Sequence, residues 1–240
     1  MEQEKEKAGE IKTETKTRQT GGKCILVCAG DFVPVEIERE DGDLVIAVDA
    51  GLLHLEQIGM LPDMMVGDFD SLPAQGRATL ESYERERPQS VVRLPLAKDD
   101  TDTMAAVKAG LARGYRRFYL YAALGGRLDH VLANLQTLVY LKAHGAAGYL
   151  MDAACMAMVV ENETVRFHQG MRGIFSLFSL DREIRGVTLR GLRFPLEEAT
   201  VTNDFPVGVS NQFLPDEQAV VTVREGRALV IVTFEEEHGY

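Results

Sequence analysis

From Cys24 onward the apolar positions fall into short runs split by polar segments, and the run lengths predict the elements. Cys24-Ile25-Leu26-Val27-Cys28-Ala29 and Leu44-Val45-Ile46-Ala47-Val48 are continuous apolar runs of strand length, followed by Gly30-Asp31 and Asp49-Ala50-Gly51. Leu52 to Ile58 reads as a helix stopped by Gly59. Met64-Met65-Val66 close a third strand, a polar helix spans Ala78 to Arg87, and Val91 to Leu94 is a fourth strand. A helix opening at Thr101 or Asp102 runs to Gly114, Phe118 to Ala123 is a strand, and Asp129 to His144 is a helix closed by Gly145. Short apolar strands alternating with helices predict an α/β domain: a parallel, Rossmann-like sheet covered on both faces. Ligands of such sheets bind at the carboxyl ends of the strands.

After Met151 the rhythm changes to strands separated only by turn residues: Met156 to Val160, Thr164 to His168, Ile174 to Leu180, Val187 to Leu189, Ala219 to Val223 and Ala228 to Phe234. This predicts an all-β sandwich or partial barrel, with Arg224-Glu225-Gly226-Arg227 as the turn of a closing hairpin. Met1 to Lys23 is rich in Glu, Lys and Thr and has almost nothing to bury, so it reads as a disordered tail. The expected organisation is therefore a tail at 1–23, an α/β domain at 24–150 and a β-sandwich domain at 151–240.

Composition narrows the partners. The 240-residue chain is 45% hydrophobic and 26% charged, ordinary for a globular protein. Its net charge of -11 argues against nucleic acid or an anionic membrane as the main partner. It leaves room for a phosphate ligand, because a metal ion or local basic groups reverse the field within one cleft. Three cysteines set in apolar runs suit buried free thiols in a reducing compartment. No run is long and apolar enough to span a bilayer, and the first residues lack the apolar core of a signal peptide. The expectation is a cytoplasmic protein.

Three polar motifs fall at strand ends. In Gly67-Asp68-Phe69-Asp70-Ser71, continued strand alternation sends Asp68 and Asp70 to one side, where a magnesium ion would relieve their repulsion. Ser71 is placed to cap the helix that follows. Lys98-Asp99-Asp100-Thr101-Asp102 opens a helix, whose N-terminus favours both carboxylates and phosphate; one Asp would suffice as a cap. Gly125-Gly126-Arg127-Leu128-Asp129-His130, with Asn134 one turn on, joins a backbone able to approach a ligand to a guanidinium fork for phosphate. His130 reads as a structural hydrogen-bonder more readily than as a base. Walker, dinucleotide-fingerprint and Gly-x-Ser-x-Gly motifs are absent from the chain, and the cysteines make no zinc site.

Together these motifs, with Gly191-Leu192-Arg193-Phe194-Pro195-Leu196 and Gly208-Val209-Ser210-Asn211, closely resemble the thiamine pyrophosphokinase family. The resemblance implies an α/β domain followed by a β-sandwich, and a homodimer with thiamine bound between subunits. It implies ATP as co-substrate and magnesium as cofactor. Carried over by motif, Asp68, Asp70 and Asp102 hold the metal and phosphates, and Asp49 supports the nucleotide side. Asp70, Asp102, Arg127 and Lys98 carry the catalysis. Lys98, Arg127 and Asp129 line the pyrophosphate and thiamine pocket, with Ser71, Asp99, Thr101, Gly125, Gly126, His130 and Asn134 around the substrates. Ser210 and Asn211 recognise the aminopyrimidine, although by local pattern alone they read as a turn.

The chain has no Trp, whereas some members of the family place one against the thiamine ring; Phe213 is the substitute expected here. Other readings are a different magnesium-dependent phosphate enzyme, a pyrophosphokinase with another alcohol acceptor, and a non-catalytic thiamine or nucleotide binder.

Overall fold

The computed structural model describes residues 12–13 (backbone only), 21–96 and 99–235. The chain divides into two compact units, Gln19–Ala153 and a second made of Met1–Arg18 with Ala154–Tyr240. Lys12–Thr13 form a two-residue strand, β1, that pairs with Arg166 and Val165 of the second unit. The rest of the segment expected as a tail lies outside the described residues, apart from 21–23.

The Gln19–Ala153 unit contains β2 (Cys24–Val27), β3 (Leu44–Val48), α1 (Gly51–Gln57), β4 (Met64–Gly67), α2 (Ala74–Glu86) and β5 (Val91–Arg93). It continues with α3 (Asp102–Ala112), β6 (Arg117–Tyr121), α4 (Leu128–Ala143) and β7 (Ala147–Met151). The six strands pair in the order β7-β6-β2-β3-β4-β5, all parallel. β2 to β5 are laid down in one direction from β2, and β6 and β7 in the other. The order therefore reverses between β2 and β6, which opens a crevice at their carboxyl ends. β2 and β4 are buried at every position, as expected of central strands covered on both faces.

The β2–β3 crossover contains no helix. Residues 29–43 instead lie across the sheet, with Ile37 in the core and Val35 packed against it. Arg39 forks onto Asp63 at 2.7 and 2.9 Å, and Asp63 also accepts a hydrogen bond from the Val45 amide. α3 starts where its motif places it: Thr101 Oγ1 accepts the Met104 amide at 3.1 Å, so the cap is Thr101 rather than one of its acidic neighbours.

The second unit is an antiparallel sandwich. Its strands are β8 (Cys155–Glu161), β9 (Thr164–Arg166), β10 (Ile174–Ser179), β11 (Glu183–Arg190), β12 (Leu196–Thr202), β13 (Gly208–Gln212), β14 (Val220–Thr222) and β15 (Arg227–Thr233). One sheet runs β1-β9-β14-β11-β12, and the strands β13-β10-β15-β8 pair in that order to form the other layer. Phe167, Phe175 and Phe213 meet edge-on in its core, with ring centroids 5.4 to 6.0 Å apart.

Arg224-Glu225-Gly226-Arg227 does not close a hairpin. β14 pairs with β9 and β11, whereas β15 pairs with β8 and β10, so this segment carries the chain from one sheet to the other. Both sides of β14 are already taken, and no edge is left for β15.

Candidate functional site

A cleft of about 380 Å³ opens at the reversal in strand order of the first unit. Its walls come from the ends of β2, β3 and β6 and from the starts of α3 and α4. Asp49, Thr101, Asp102, Gly125, Gly126, Arg127, His130 and Asn134, dispersed along the chain, all line it. Lys98 lies outside the described residues.

Asp49 is the perturbed carboxylate of the cleft. It sits in the left-handed region, φ 50, directly after β3, with its amide bonded to the Val66 carbonyl at 2.9 Å. Its Oδ2 accepts a hydrogen bond from Ser71 Oγ at 3.2 Å, while its buried Oδ1 has no partner among the described residues. Burial raises its pKa; the Ser71 hydroxyl and the Ala50 backbone amide oppose the rise, and the negative charges of Asp102 and Asp68 add to it. Strands β3 and β4 and the start of α3 thus bring three carboxylates into one another's field.

The Asp68–Asp70 turn differs from the strand-based expectation. β4 ends at Gly67, and Phe69 is left-handed, φ 59, with its ring buried beneath the Arg93 guanidinium. Burial of Phe69 takes precedence over alternation, so Asp68 stays half-buried and Asp70 turns outward. The two remain linked, because the Asp70 amide donates to Asp68 Oδ1 at 3.3 Å. Ser71 does not cap α2, whose N-cap is Pro73; its hydroxyl goes to Asp49 instead. Asp99 is exposed just before the α3 cap, and the neighbouring Asp100 pairs with Lys108.

Among the described residues no three carboxylate, imidazole or thiol groups stand close enough to cage a metal ion by themselves. Magnesium takes only one or two carboxylates and completes its shell with phosphate oxygens and water. An orphaned buried oxygen on Asp49, in the field of two further carboxylates, suits such a cation.

On the opposite wall, Asn134 is buried and its Nδ2 donates to the Ala123 carbonyl at 2.8 Å. That bond pins the Ala122–Gly126 loop, in which Ala122, Gly125 and Gly126 all have positive φ. Arg127 and Asp129 form a two-point ion pair at 2.6 and 3.1 Å, both side chains exposed. Each perturbs the other, Asp129 raising the Arg127 pKa and Arg127 lowering that of Asp129. Asp129 Oδ1 also accepts the His130 amide at 3.0 Å, within the first turn of α4. Cys28 lies at the cleft floor against Thr103, and burial pushes its thiol up to about 12, so it is present as a neutral thiol.

In the sandwich unit, Ser210 and Asn211 lie on β13 rather than in a turn. Ser210 is exposed and left-handed, φ 60. Asn211 is buried: it donates to the Phe194 carbonyl at 2.7 Å and accepts the Phe194 amide at 2.9 Å. It therefore holds the Gly191–Pro195 loop against β13 and leaves the Phe194 ring 59% exposed. Phe213, the aromatic expected to stack on a ring, is 6% exposed and packs edge-to-face with Phe167 and Phe175. Phe194, already present in the sequence motif, is the exposed aromatic beside Asn211, with the Arg193 guanidinium 5.7 Å from its ring centroid.

A parallel α/β unit with an acid-lined cleft at its strand reversal, followed by an antiparallel sandwich, defines a two-domain α/β enzyme. Two family profiles match the halves in turn: "Thiamin pyrophosphokinase, catalytic domain" over residues 37–150 and "Thiamin pyrophosphokinase, vitamin B1 binding domain" over residues 162–227. The chain belongs to the thiamin pyrophosphokinase family. It is 26% identical over 183 residues to the thiamine pyrophosphokinase of Bacillus subtilis, covering 73% of this chain and 80% of that protein. The crystal structure of thiamine pyrophosphokinase from that organism is similar with a TM-score of 0.78 at 23% identity, covering 89% of this chain and 99% of the other. Yeast thiamin pyrophosphokinase is similar with a TM-score of 0.71 at 14% identity, covering 91% and 88%. At such identities the structural likenesses speak for the fold.

Proposed function

We propose that this protein transfers the pyrophosphoryl group of ATP to the hydroxyl of thiamine, giving thiamine diphosphate and AMP. The observation that carries the reading is the pair of family matches: the catalytic one over the cleft-bearing unit and the vitamin-binding one over the sandwich. The thiamine hydroxyl oxygen bonds to the β-phosphorus, the bond from that phosphorus to the α–β bridging oxygen breaks, and the hydroxyl proton is lost. Such transfers have loose transition states, so the protein mainly aligns groups and balances charge.

Asp68, Asp70 and Asp102, with Asp49 beside them, would hold magnesium. When bound, the ion neutralises phosphate charge. Arg127 offers its guanidinium fork to the phosphates, and Lys98 adds a second cation on the strength of the motif. Asp102, in the first turn of α3, orients the attacking hydroxyl. Asp129 faces the cationic substrate, Asn134 fixes the glycine loop, and Ser71 holds Asp49. On the sandwich, Ser210 meets the aminopyrimidine, while Asn211 holds Phe194 where its ring can stack on thiamine.

The reversal of strand order supports a Rossmann-like reading of the first unit. We further read the working form as a homodimer with thiamine between subunits. Exposed Phe194, Phe205, Val207 and Val209 on the sandwich supply apolar surface for that contact. Buried free thiols at Cys24 and Cys28 suit the cytoplasm.

The test is product analysis with ATP, magnesium and thiamine, each omitted in turn. Equal AMP and thiamine diphosphate, formed only in the complete mixture, is the expected result. ADP or free phosphate formed without thiamine would replace this reading with another phosphate enzyme.

A further inference from the structure

We infer that Asp31 sets nucleotide specificity, its carboxylate accepting hydrogen bonds from the ribose hydroxyls of the nucleotide in the cleft. The inference rests on the ATP-dependent reading above and names a contact that reading leaves open. Asp31 precedes the catalytic-domain match, which begins at residue 37.

The geometry starts with the backbone. Beyond β2 the pairing with β6 continues, Cys28 N to Tyr121 O and Gly30 N to Ala122 O, each 2.9 Å. The approach at Gly30 is so close that a Cβ there would lie 2.6 Å from the Ala122 carbonyl oxygen. From the other side, His54 Nε2 on α1 lies 3.0 Å from the Gly30 carbonyl oxygen. The residue before Asp31 is thus clamped between the sheet and α1, so the Asp31 carboxylate reaches the cleft wall from a fixed base.

Gly125 and Gly126 make room for it. A Cβ on Gly125 would meet Asp31 Oδ2 at 2.9 Å, and the positive φ of both glycines lets the loop pass beside the carboxylate without side chains. No described residue donates a hydrogen bond to the Asp31 carboxylate or pairs with its charge, although it lines the cleft of the unit that carries the motifs.

Charge then decides what it meets. A carboxylate repels phosphate, and Asp31 enters the cleft from the end of β2, whereas the metal-suited acids Asp49 and Asp68 follow β3 and β4 and Asp102 opens α3. The nucleotide part beside Asp31 is therefore a neutral donor. A ribose diol presents two adjacent hydroxyls to the two carboxylate oxygens, whereas the adenine edge alternates donors with acceptors and would set an acceptor against the carboxylate.

The experiment compares ATP, 2′-deoxy-ATP and 3′-deoxy-ATP as co-substrates for the full chain and for Asp31→Ala, with thiamine saturating. Losing a hydrogen bond to a charged group costs on the order of tenfold in kcat/KM, so the full chain should favour ATP over the deoxy analogues by about that factor. In Asp31→Ala, kcat/KM for ATP should fall similarly and the preference should collapse toward one, with the thiamine KM and Tm unchanged. A general folding defect would lower all three nucleotides together and leave their ratio intact. An ATP-to-deoxy ratio in Asp31→Ala equal to the parent's overturns the assignment while the ATP-dependent reading stands. Absence of AMP formation by the parent overturns that reading, and the assignment with it.

Discussion

Asp49 and Asp102 line the cleft from the end of β3 and the start of α3, Asp68 adds its charge to the field at Asp49 from just beyond β4, and Asp49 Oδ1 has no hydrogen-bond partner among the described residues. An acidic cluster of this kind is costly without a cation and is retained where it handles one. Asp70→Asn and Asp102→Asn should therefore each cut turnover by roughly a hundredfold or more at unchanged Tm. Near-normal turnover in either variant would remove that residue from the mechanism. His54 gives a second residue-scale prediction. Burial lowers its pKa below 6.5, against the opposing hydrogen bond to Gly30. The unfolded chain then binds the proton first, so the His54 contribution to stability is complete above pH 6.5 and is lost as pH falls from there toward the folded pKa. Tm measured just below pH 6.5 should fall less steeply with acid in His54→Gln than in the parent; identical slopes would show that His54 does not titrate with unfolding.

At the scale of elements, close approach matters more than propensity. α3 packs on β2 and β6 through Gly110, where a Cβ would lie 2.7 Å from Phe118 and 2.8 Å from the Cys24 sulfur, both fully buried. Gly110→Ala should destabilise the protein by about 1 to 3 kcal/mol, read as a lowered denaturation midpoint, because a packed interior yields poorly to an added methyl. The loop that Asn211 ties to β13 carries the exposed ring of Phe194. Stacking on a cationic heterocycle is worth about 1 kcal/mol, so Phe194→Ala should raise the thiamine KM about three- to tenfold and leave the ATP KM alone. Equal effects on both substrates would remove Phe194 from the thiamine side.

For the whole molecule, the exposed apolar side chains Phe205, Val207 and Val209 flank or lie on β13, which among the described residues pairs on one side only, with β10. An open edge with apolar flanks is a hazard unless it is covered. Sedimentation should give twice the chain mass for the parent, and Phe205→Glu should move the equilibrium toward monomer with lower thiamine turnover. A parent that sediments as a monomer at full activity would sink the dimer reading.

The alternation of apolar strands with helices up to Met151, and strands without helices after it, were legible because each element must bury its own face and writes that need into a local period. The three acidic and glycine motifs were legible for a similar reason, since turns and helix starts constrain neighbouring residues. Elements that bury little left no such trace: β12 is largely exposed, and β13 buries only Gly208 and Asn211, a spacing of three that no strand period predicts. Tertiary structure alone decided that Phe69 enters the core and sends Asp70 outward. It also decided that Ser71 serves Asp49, that Phe213 is enclosed while Phe194 is exposed, and that β14 and β15 belong to different sheets. Each of these outcomes depends on a partner distant in sequence, and a local pattern of apolar and polar positions carries no information about which distant surface will claim a side chain.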